Sequence, residues 1–317
     1  MFIKVSSKRP RKTVNNNLGK VLVTGGCGFI GSHLCKELVS RGIKIVVVDD
    51  LSCGDRKRIQ SFEKFGQIKF YNTNICDVSG IDEIFEKEKP TAVVHLAGKI
   101  SVRESKINPS AYFETNVFGT YNLVEIAARR DATKFIYVNS ASSYGTITNV
   151  PTDETVICRP TNPYSISKLL GEQVALNVGS FGNIDVISIR LFNLYGIYAG
   201  ALFGLFIEQI KGANPLTITG DGTQRRDFTF VGDVSHSICE LLNSEIKNEI
   251  FNVATGQTQS IIDLAVAMGA KWEFIERDAD EPDLMWADIS KLRQMLPSAV
   301  PKSPFRETVK SIMESIS

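Results

Sequence analysis

The chain of 317 residues is 43% hydrophobic and 22% charged, with 24 glycines and 11 prolines. This length and composition are typical of an enzyme-sized globular fold, and they exclude a stapled miniprotein, a collagen, a coiled coil and a wholly disordered chain. Thirty-six basic and 35 acidic side chains leave a net charge of +1, which predicts no chain-wide attraction to nucleic acid or to an anionic membrane.

A basic segment comes first along the chain. Its five positive charges are Lys4, Lys8, Arg9, Arg11 and Lys12. The first acid is Glu37, so the rest of the chain carries a charge of −4. Because the segment has no apolar run of the length found in signal peptides, we interpret residues 1–19 as a solvated, disordered arm. An organelle-targeting arm and a nucleic-acid-binding arm are the alternatives.

Short β-branched runs alternate with longer amphipathic stretches from residue 20 to residue 190. The predicted strands are Lys20–Thr24, Ile43–Asp49, Ile68–Thr73, Ala92–Leu96, Lys134–Asn139 and Asp185–Arg190. The predicted helices are 30–41, 79–88, 107–130 and 163–180. Apolar strands separated by helices indicate a parallel sheet covered on both faces. We therefore predict an α/β fold with a Rossmann-type doubly wound sheet over residues 20–190.

After residue 190 the chain is divided into shorter elements by Gly196, Gly200, Gly204, Gly212, Gly220, Gly222, Gly232 and Pro215. No linker separates the two halves. The sequence therefore predicts that residues 191–317 form a smaller C-terminal substrate-binding lobe, packed directly on the first domain, with some segments returning to that domain.

The six cysteines are scattered without a C-x-x-C pair, and the three histidines are far apart in sequence. This pattern predicts neither a zinc site nor a disulfide framework, and it favours reduced thiols in a cytoplasmic protein. No window approaches the roughly 18 uninterrupted apolar residues of a membrane span.

A glycine-rich turn follows the first predicted strand. Gly25, Gly28 and Gly31 satisfy G-x-x-G-x-x-G, and the pattern G-x-G-x-x-G also starts at Gly26. Glycines at such a turn let backbone N–H groups approach a pyrophosphate, while the following helix directs its positive N-terminus at the anion. The position between a strand and a helix makes this motif more specific than the glycines by themselves.

Two carboxylates follow the next strands. Asp49 ends the second predicted strand, 21 residues after Gly28, where an acid binds the ribose hydroxyls of NAD and repels the 2′-phosphate of NADP. Asp77, with Val78, follows the third strand and could meet the adenine amino group. Its alternative role is to cap the next helix.

A phenol and an ammonium share one face of a predicted helix, because Tyr164 and Lys168 are four residues apart. The predicted strand before them ends at Asn139, and Ser140 follows it, which brings a hydroxyl to the carboxyl edge of the sheet. Oxidation of a carbinol needs a base for the hydroxyl proton, and a neighbouring ammonium favours the phenolate that can serve. We predict that these three residues are catalytic.

The ordered motifs together resemble the extended short-chain dehydrogenase/reductase family, in its NAD-dependent nucleotide-sugar epimerase/dehydratase branch. The segments that carry the resemblance are Gly25–Gly31, Asp49–Ser52, His95–Gly98, Asn116–Thr120, Ser140–Gly145, Tyr164–Lys168, Arg190–Gly196 and Gly220–Asp233. The resemblance implies a Ser140, Tyr164 and Lys168 triad, with Lys168 also holding the nicotinamide ribose. The further NAD contacts that it implies are Phe29, Ile30, Asp50, Leu96, Ala97, Gly98 and Asn116.

The resemblance also implies residues that bind a nucleotide-diphosphate sugar. Ser140 and Ser142 would contact the sugar, and Asn193 would hold the phosphate side. Arg226 would grip the pyrophosphate, with Arg225 as the alternative, and Arg277 would provide a second cation.

These features predict 4-epimerisation of a UDP-sugar of the UDP-glucose and UDP-galactose type, through a transient 4-keto sugar. Dehydratases of the family carry an acidic pair where this chain has Ala141 and Ser142, which weighs against 4,6-dehydration. The sequence is also compatible with a 4-keto reductase or with a noncatalytic NAD-binding relative. The resemblance further implies a homodimer whose four-helix interface uses residues 107–130 and 163–180.

Overall fold

The computed structural model describes residues 18–63, 67–146, 149–277 and 281–316. Within these ranges, none of the helices is both long enough and apolar enough to cross a bilayer. Residues 1–17, which make up most of the predicted arm, lie outside the described residues.

A seven-stranded parallel sheet forms the centre of the molecule. Its strands are β1 (Lys20–Thr24), β2 (Lys44–Val48), β3 (Ile68–Tyr71), β4 (Ala92–His95), β5 (Lys134–Ser140), β6 (Asp185–Leu191) and β11 (Glu249–Val253). Their spatial order is β11-β6-β5-β4-β1-β2-β3. The chain starts in the middle of the sheet, builds outward to one edge and then returns to build the other. This topology confirms the predicted α/β Rossmann-type fold.

Helices cover both faces of this sheet. The helices up to β6 are α1 (Phe29–Ser40), α2 (Lys57–Glu63), α3 (Val78–Glu88), α4 (Val102–Ile107), α5 (Pro109–Phe113), α6 (Gly119–Arg129) and α7 (Pro163–Phe181). On one face, α1 packs with α9 (Val231–Leu242) over a core that includes Val21, Val47 and Ile189. On the other face, α3, α6 and α7 enclose a core that includes Leu22 and Phe135.

The predicted helix at 107–130 corresponds to a continuous helical run over residues 109–129 in the structure. Asn108 ends α4, and Pro109 begins α5, because proline suits the first turn of a helix and not its interior. A π-helical segment, Glu114–Phe118, then joins α5 to α6. The predicted helix is therefore present over residues 109–129, with its start at Pro109 and with a π-helical segment inside it that the sequence did not indicate.

The chain after β6 contains shorter elements, as the glycines indicate. They are β7 (Asn193–Tyr195), α8 (Ala201–Lys211), β8 (Leu216–Thr219), β9 (Arg225–Arg226), β10 (Phe228–Phe230), β12 (Gln259–Ser260), α10 (Ile261–Met268), β13 (Trp272–Ile275), β14 (Leu284–Met285), α11 (Ser290–Met295) and α12 (Phe305–Ile316). Tyr195, Phe203, Phe206 and Phe228 belong to a separate buried core here. β11 and α9 come from the same part of the chain but pack with the main sheet.

Candidate active site

The glycine loop after β1 has no room for side chains at its ends. Gly25 has a φ of +69°, and its amide donates to Val48 O at 2.8 Å. A Cβ added to Gly25 would lie 2.7 Å from Ala97 N, and one added to Gly31 would lie 2.2 Å from Gly25 O. The backbone at both positions is therefore packed as closely as glycine allows, which keeps the loop open towards a ligand.

The N-terminus of α1 faces this loop without a side-chain cap. Gly28 is the N-cap residue, Phe29 and Ile30 start the first turn, and that turn contains no acid. Its amides and the positive end of the 12-residue helix are thus available to an anion. This geometry fits the pyrophosphate of a dinucleotide.

The carboxylate of Asp49 is buried at the end of β2. It accepts hydrogen bonds at 2.9 Å from the amides of Cys27 and Leu51. Burial raises the pKa of Asp49, while these hydrogen bonds oppose the rise. Asp49 is therefore fixed beside the glycine loop, where an adenosine ribose would lie. Asp50 instead accepts from Ser52 and from Asn74 Nδ2 at 2.8 Å.

Asp77 has the capping role that was the alternative to adenine binding. It is the N-cap of α3, and its Oδ1 accepts from Gly80 N at 3.1 Å and from Ser79 Oγ at 3.0 Å. These hydrogen bonds lower its pKa. Val78 begins the helix and is 47% exposed. A contact from either residue to adenine stays a prediction.

Asn116 is buried in the π-helical segment and holds the loop that follows β4. Its Oδ1 accepts from Lys99 N at 2.8 Å, and its Nδ2 donates to Lys99 O and to Ser167 Oγ at 2.9 Å. The amide group is thus used within the protein, so Asn116 fixes the course of Leu96, Ala97 and Gly98 beside the glycine loop. Its direct contact with NAD stays a prediction.

A chain of hydrogen bonds from β1, β4 and α6 also holds the loop that follows β4. Thr24 Oγ1 accepts from Ala97 N at 3.2 Å and lies 2.7 Å from His95 Nδ1. His95 Nε2 lies 2.9 Å from Thr120 Oγ1. Burial lowers the pKa of His95 to about 3, so the imidazole is neutral at physiological pH. No sequence motif indicated this role for the three side chains.

The hydroxyls of the predicted catalytic set come together at the carboxyl edge of the sheet. Ser140 ends β5, and its Oγ accepts from Ser142 N at 3.2 Å. Burial raises the pKa of the Tyr164 phenol, and the neighbouring Ser140 and Ser142 side chains lower it in part. Ser142 Oγ is thus buried beside the Tyr164 phenol.

The start of α7 sets the position of Tyr164 and Lys168. Asn162 caps the helix by accepting from Ser165 N at 3.0 Å, and Ser165 Oγ accepts from Asn162 N in return. Pro163 occupies the first turn. Tyr164 therefore lies in the first turn of α7, and Lys168 lies one turn later on the same face of the helix.

Lys168 is buried, with its Nζ 4.4 Å from the centre of the Tyr137 ring. Burial lowers the pKa of Lys168 to about 7, although Glu172 opposes the decrease. An ammonium close to its titration point responds to small changes in charge around it. Such a shifted pKa is common among buried ionisable groups at functional sites.

The residues predicted to bind the sugar nucleotide lie in the C-terminal part of the chain. Asn193 begins β7, and its buried Oδ1 has no hydrogen-bond partner in the part of the chain that the structure describes. Arg226 is buried and forms an ion pair with Glu281 at 2.8 Å. Arg277 donates to Glu281 O at 3.0 Å, so Glu281 brings the two arginines together. Arg225 instead donates to Thr258.

The fold and the glycine loop define a dinucleotide-binding protein of the Rossmann class. A family model described as "NAD dependent epimerase/dehydratase family" matches residues 21–254. A curated relative, UDP-glucose 4-epimerase 4 of Oryza sativa subsp. japonica, is 31% identical over 276 residues, which are 78% of this chain and 75% of the relative. The dTDP-D-glucose 4,6-dehydratase of Mus musculus is 33% identical over 251 residues, which are 78% of this chain and 71% of the relative.

Solved structures agree with this assignment. The crystal structure of UDP-glucose 4-epimerase from Thermotoga maritima, determined with UDP-glucose, has a TM-score of 0.85 and 30% identity. The match covers 94% of this chain and 98% of that chain. The chain belongs to the NAD-dependent epimerase/dehydratase family, and its cofactor is NAD. The glycine loop and Asp49 are the part of the structure that fits this cofactor.

Proposed function

We propose that this protein is a 4-epimerase of a UDP-sugar, of the UDP-glucose and UDP-galactose type. The observation that carries the proposal is the proximity of Tyr164 to the Ser140 and Ser142 hydroxyls, at the sheet edge that also carries the glycine loop. The likeness to UDP-glucose 4-epimerases supports the same substrate class.

Tyr164 accepts the proton of the sugar 4-hydroxyl in this proposal. Ser140 donates a hydrogen bond to the same oxygen and holds it near the phenol. Lys168 stabilises the phenolate as an ammonium one helical turn away. When bound, NAD supplies the acceptor and later the donor of the C4 hydride. Tyr164 then returns the proton after the 4-ketose has turned in the site, so no reductant is consumed.

The surroundings of Tyr164 favour epimerisation over 4,6-dehydration. Elimination of a 6-hydroxyl needs an acid and a base near C5 and C6, for which dehydratases of the family use an acidic pair. Here the corresponding positions are Ala141 and Ser142. Within the described ranges, the groups that alter the pKa of Tyr164 are serine hydroxyls and no carboxylate. These neutral groups can orient a ketose but cannot drive the elimination.

Arg226 would bind the pyrophosphate of the substrate, with Arg277 nearby. Both guanidinium groups donate to Glu281, one to its side chain and one to its carbonyl oxygen. A pyrophosphate carries more negative charge than the Glu281 carboxylate, so it can replace that carboxylate as the partner of Arg226. Asn193 would contact the substrate through its amide, whose buried Oδ1 has no hydrogen-bond partner among the described residues and can accept from a hydroxyl group.

A homodimer formed through α6 and α7 is part of the proposal. Phe118 is 64% exposed, Tyr121 47% and Leu170 41%. These side chains lie on or beside the two helices, and burying them against a second copy would remove apolar surface from water.

The proposal is tested by giving the purified protein UDP-galactose or UDP-glucose without added reductant. We expect interconversion with no accumulation of NADH. Tyr164→Phe should retain NAD and lose turnover, because the ring remains while the proton acceptor is removed. Tyr121→Phe, which removes a half-exposed hydroxyl, is the matched control and should remain active. Failure to convert these sugars and their N-acetyl and uronic acid analogues would refute the proposal.

A further inference from the structure

Glu172 is a buried acid two helical turns beyond Tyr164 and one turn beyond Lys168. Its Oε2 accepts hydrogen bonds from Asn139 Nδ2 and Ser188 Oγ at 2.7 Å, and from Arg190 Nε at 3.1 Å. Its Oε1 accepts from Arg190 Nη2 at 2.6 Å. One carboxylate therefore joins α7 to both β5 and β6.

The hydrogen bond to Asn139 connects Glu172 to the strand end that carries Ser140. Asn139 Oδ1 accepts from Ser140 N at 2.8 Å and from Ser143 Oγ at 2.9 Å. The position of the catalytic hydroxyl on β5 is thus coupled, through one amide side chain, to the helix that carries Tyr164 and Lys168. A shift of Glu172 would therefore move Ser140 on β5 relative to Tyr164 and Lys168 on α7.

Arg190 compensates the charge of Glu172 through a buried ion pair at 2.6 Å. Its guanidinium is buried, and it packs 4.7 Å from the centre of the Tyr144 ring. The Glu172 carboxylate raises the pKa of Lys168 against the effect of burial. Glu172 therefore acts on Lys168 as a negative charge in spite of its ion pair.

Titratable groups from several elements face Lys168. Tyr137 of β5 places its ring against the ammonium, and its hydroxyl donates to Lys168 O at 3.0 Å. His95 of β4 is neutral near neutral pH, since burial lowers its pKa to about 3. Burial raises the pKa of the Tyr164 phenol of α7. In the described part of the chain, Glu172 is the one carboxylate that acts on the charge of Lys168.

We propose that Glu172 is a positioning residue that favours the ammonium form of Lys168 and holds Ser140 in register with Tyr164. Its role rests on the proposed function, because the Lys168 ammonium matters only if Tyr164 must become a phenolate. Glu172 touches neither the sugar nor the cofactor loop, so its effect reaches the reaction through Lys168 and Asn139.

The first measurement is the titration of Lys168 itself. Protein with isotope-labelled lysine side chains is loaded with NAD and titrated by NMR, and Lys168→Met identifies the signal. Removing a nearby negative charge lowers the pKa of an ammonium. We therefore expect the Lys168 titration in Glu172→Gln to move to lower pH by about one unit.

The second measurement is the pH profile of turnover with UDP-galactose. Because the ammonium is the active form of Lys168, the alkaline limb of the kcat profile in Glu172→Gln should also move to lower pH by about one unit. KM should change little, since Glu172 does not contact the substrate. Glu172→Asp retains the charge and should return both the titration and the alkaline limb towards the wild type.

Glu88 provides a matched control. It is also a buried carboxylate, and it accepts hydrogen bonds from Lys20, Lys69 and Tyr71. It lies at the end of α3, near the amino end of β1 and away from Ser140. Glu88→Gln should lower stability without moving the Lys168 titration. A merely structural role for Glu172 predicts that the two variants behave alike.

A paired variant covers the case in which Glu172→Gln does not fold, because a lone buried Arg190 is costly. Glu172→Leu combined with Arg190→Met removes both charges and keeps apolar volume in the core. We expect the same direction of shift for Lys168 in this variant. An unchanged Lys168 titration in whichever variant folds would overturn the inference. Failure of the wild type to convert nucleotide sugars would overturn the proposed function instead, and the NMR titration would still report on Glu172.

Discussion

The Gly31→Ala substitution would place a methyl group where α1 packs against the glycine loop. The added Cβ would lie 2.2 Å from Gly25 O and 2.6 Å from Gly26 Cα, whereas ordinary contacts begin at 3.4 Å. Alanine is favourable within a helix, so the effect of this substitution is steric. The helix and the loop must separate by about 1 Å to accept the methyl group.

This displacement should reduce both stability and cofactor binding. Overpacking of a close interior contact typically lowers the free energy of unfolding by about 1–3 kcal/mol. The first-turn amides of α1 move with the helix, so their contacts with the pyrophosphate weaken. We expect the affinity for NAD to fall by at least about tenfold, which corresponds to ~1.4 kcal/mol. Denaturant unfolding and calorimetric titration of the cofactor-free protein measure the two effects.

Gly42→Ala separates loss of stability from loss of binding. Gly42 has a φ of +77°, and an added Cβ would have no atom within 4 Å. Alanine in this left-handed conformation costs about 1–2 kcal/mol, similar to the expected cost at Gly31, but residue 42 lies beyond the far end of α1. The reasoning would be refuted if Gly31→Ala bound NAD like the wild type, or if Gly42→Ala weakened NAD binding equally.

Three further predictions concern cofactor choice, acid stability and assembly. Asp49→Ala should weaken NAD binding by about tenfold and reduce the preference over NADP, because the ribose partner and the repulsion of a 2′-phosphate are both lost; parallel titrations with the two cofactors measure this. Burial raises the pKa of Glu88, but its hydrogen bonds outweigh burial and lower the pKa from 4.5 to about 2. Its contribution is therefore complete above pH 4.5 and lost as the pH falls to about 2, so acid should cost the wild type about 3 kcal/mol more unfolding free energy than Glu88→Gln. Phe118→Asp with Leu170→Asp should convert a dimer into monomers in sedimentation experiments, and an unchanged mass would exclude α6 and α7 as the interface.

The features of the fold and site that depend on short stretches of chain could be predicted from the sequence. The glycine loop, Asp49 and Ser140 each follow an apolar strand, and parallel strands bring their carboxyl ends to one edge. Tyr164 and Lys168 share a helix face because of their spacing. These predictions depend on short stretches of chain, in which periodicity and glycine placement carry the information.

Contacts between distant segments could not be predicted in the same way. Asn116 holds the backbone of Lys99 from a π-helical segment, which hydrophobic periodicity does not distinguish from an α-helix. Glu281 pairs with Arg226 across 55 residues of chain. Glu172 could have been noticed by its spacing of four residues from Lys168, but its partner Arg190 comes from a different strand. Such pairs depend on how the elements pack, which the residue pattern does not specify.

Conversion of UDP-galactose carrying deuterium at C4 tests the proposed 4-epimerisation most directly. In that reaction the hydride leaves C4 and returns to C4 within one turnover, with Tyr164 handling the hydroxyl proton. We predict UDP-glucose that retains deuterium at C4, with no net NADH. A 4-keto-6-deoxy product with deuterium lost from C4 would contradict the proposed epimerisation, as would an absence of conversion by protein that holds NAD.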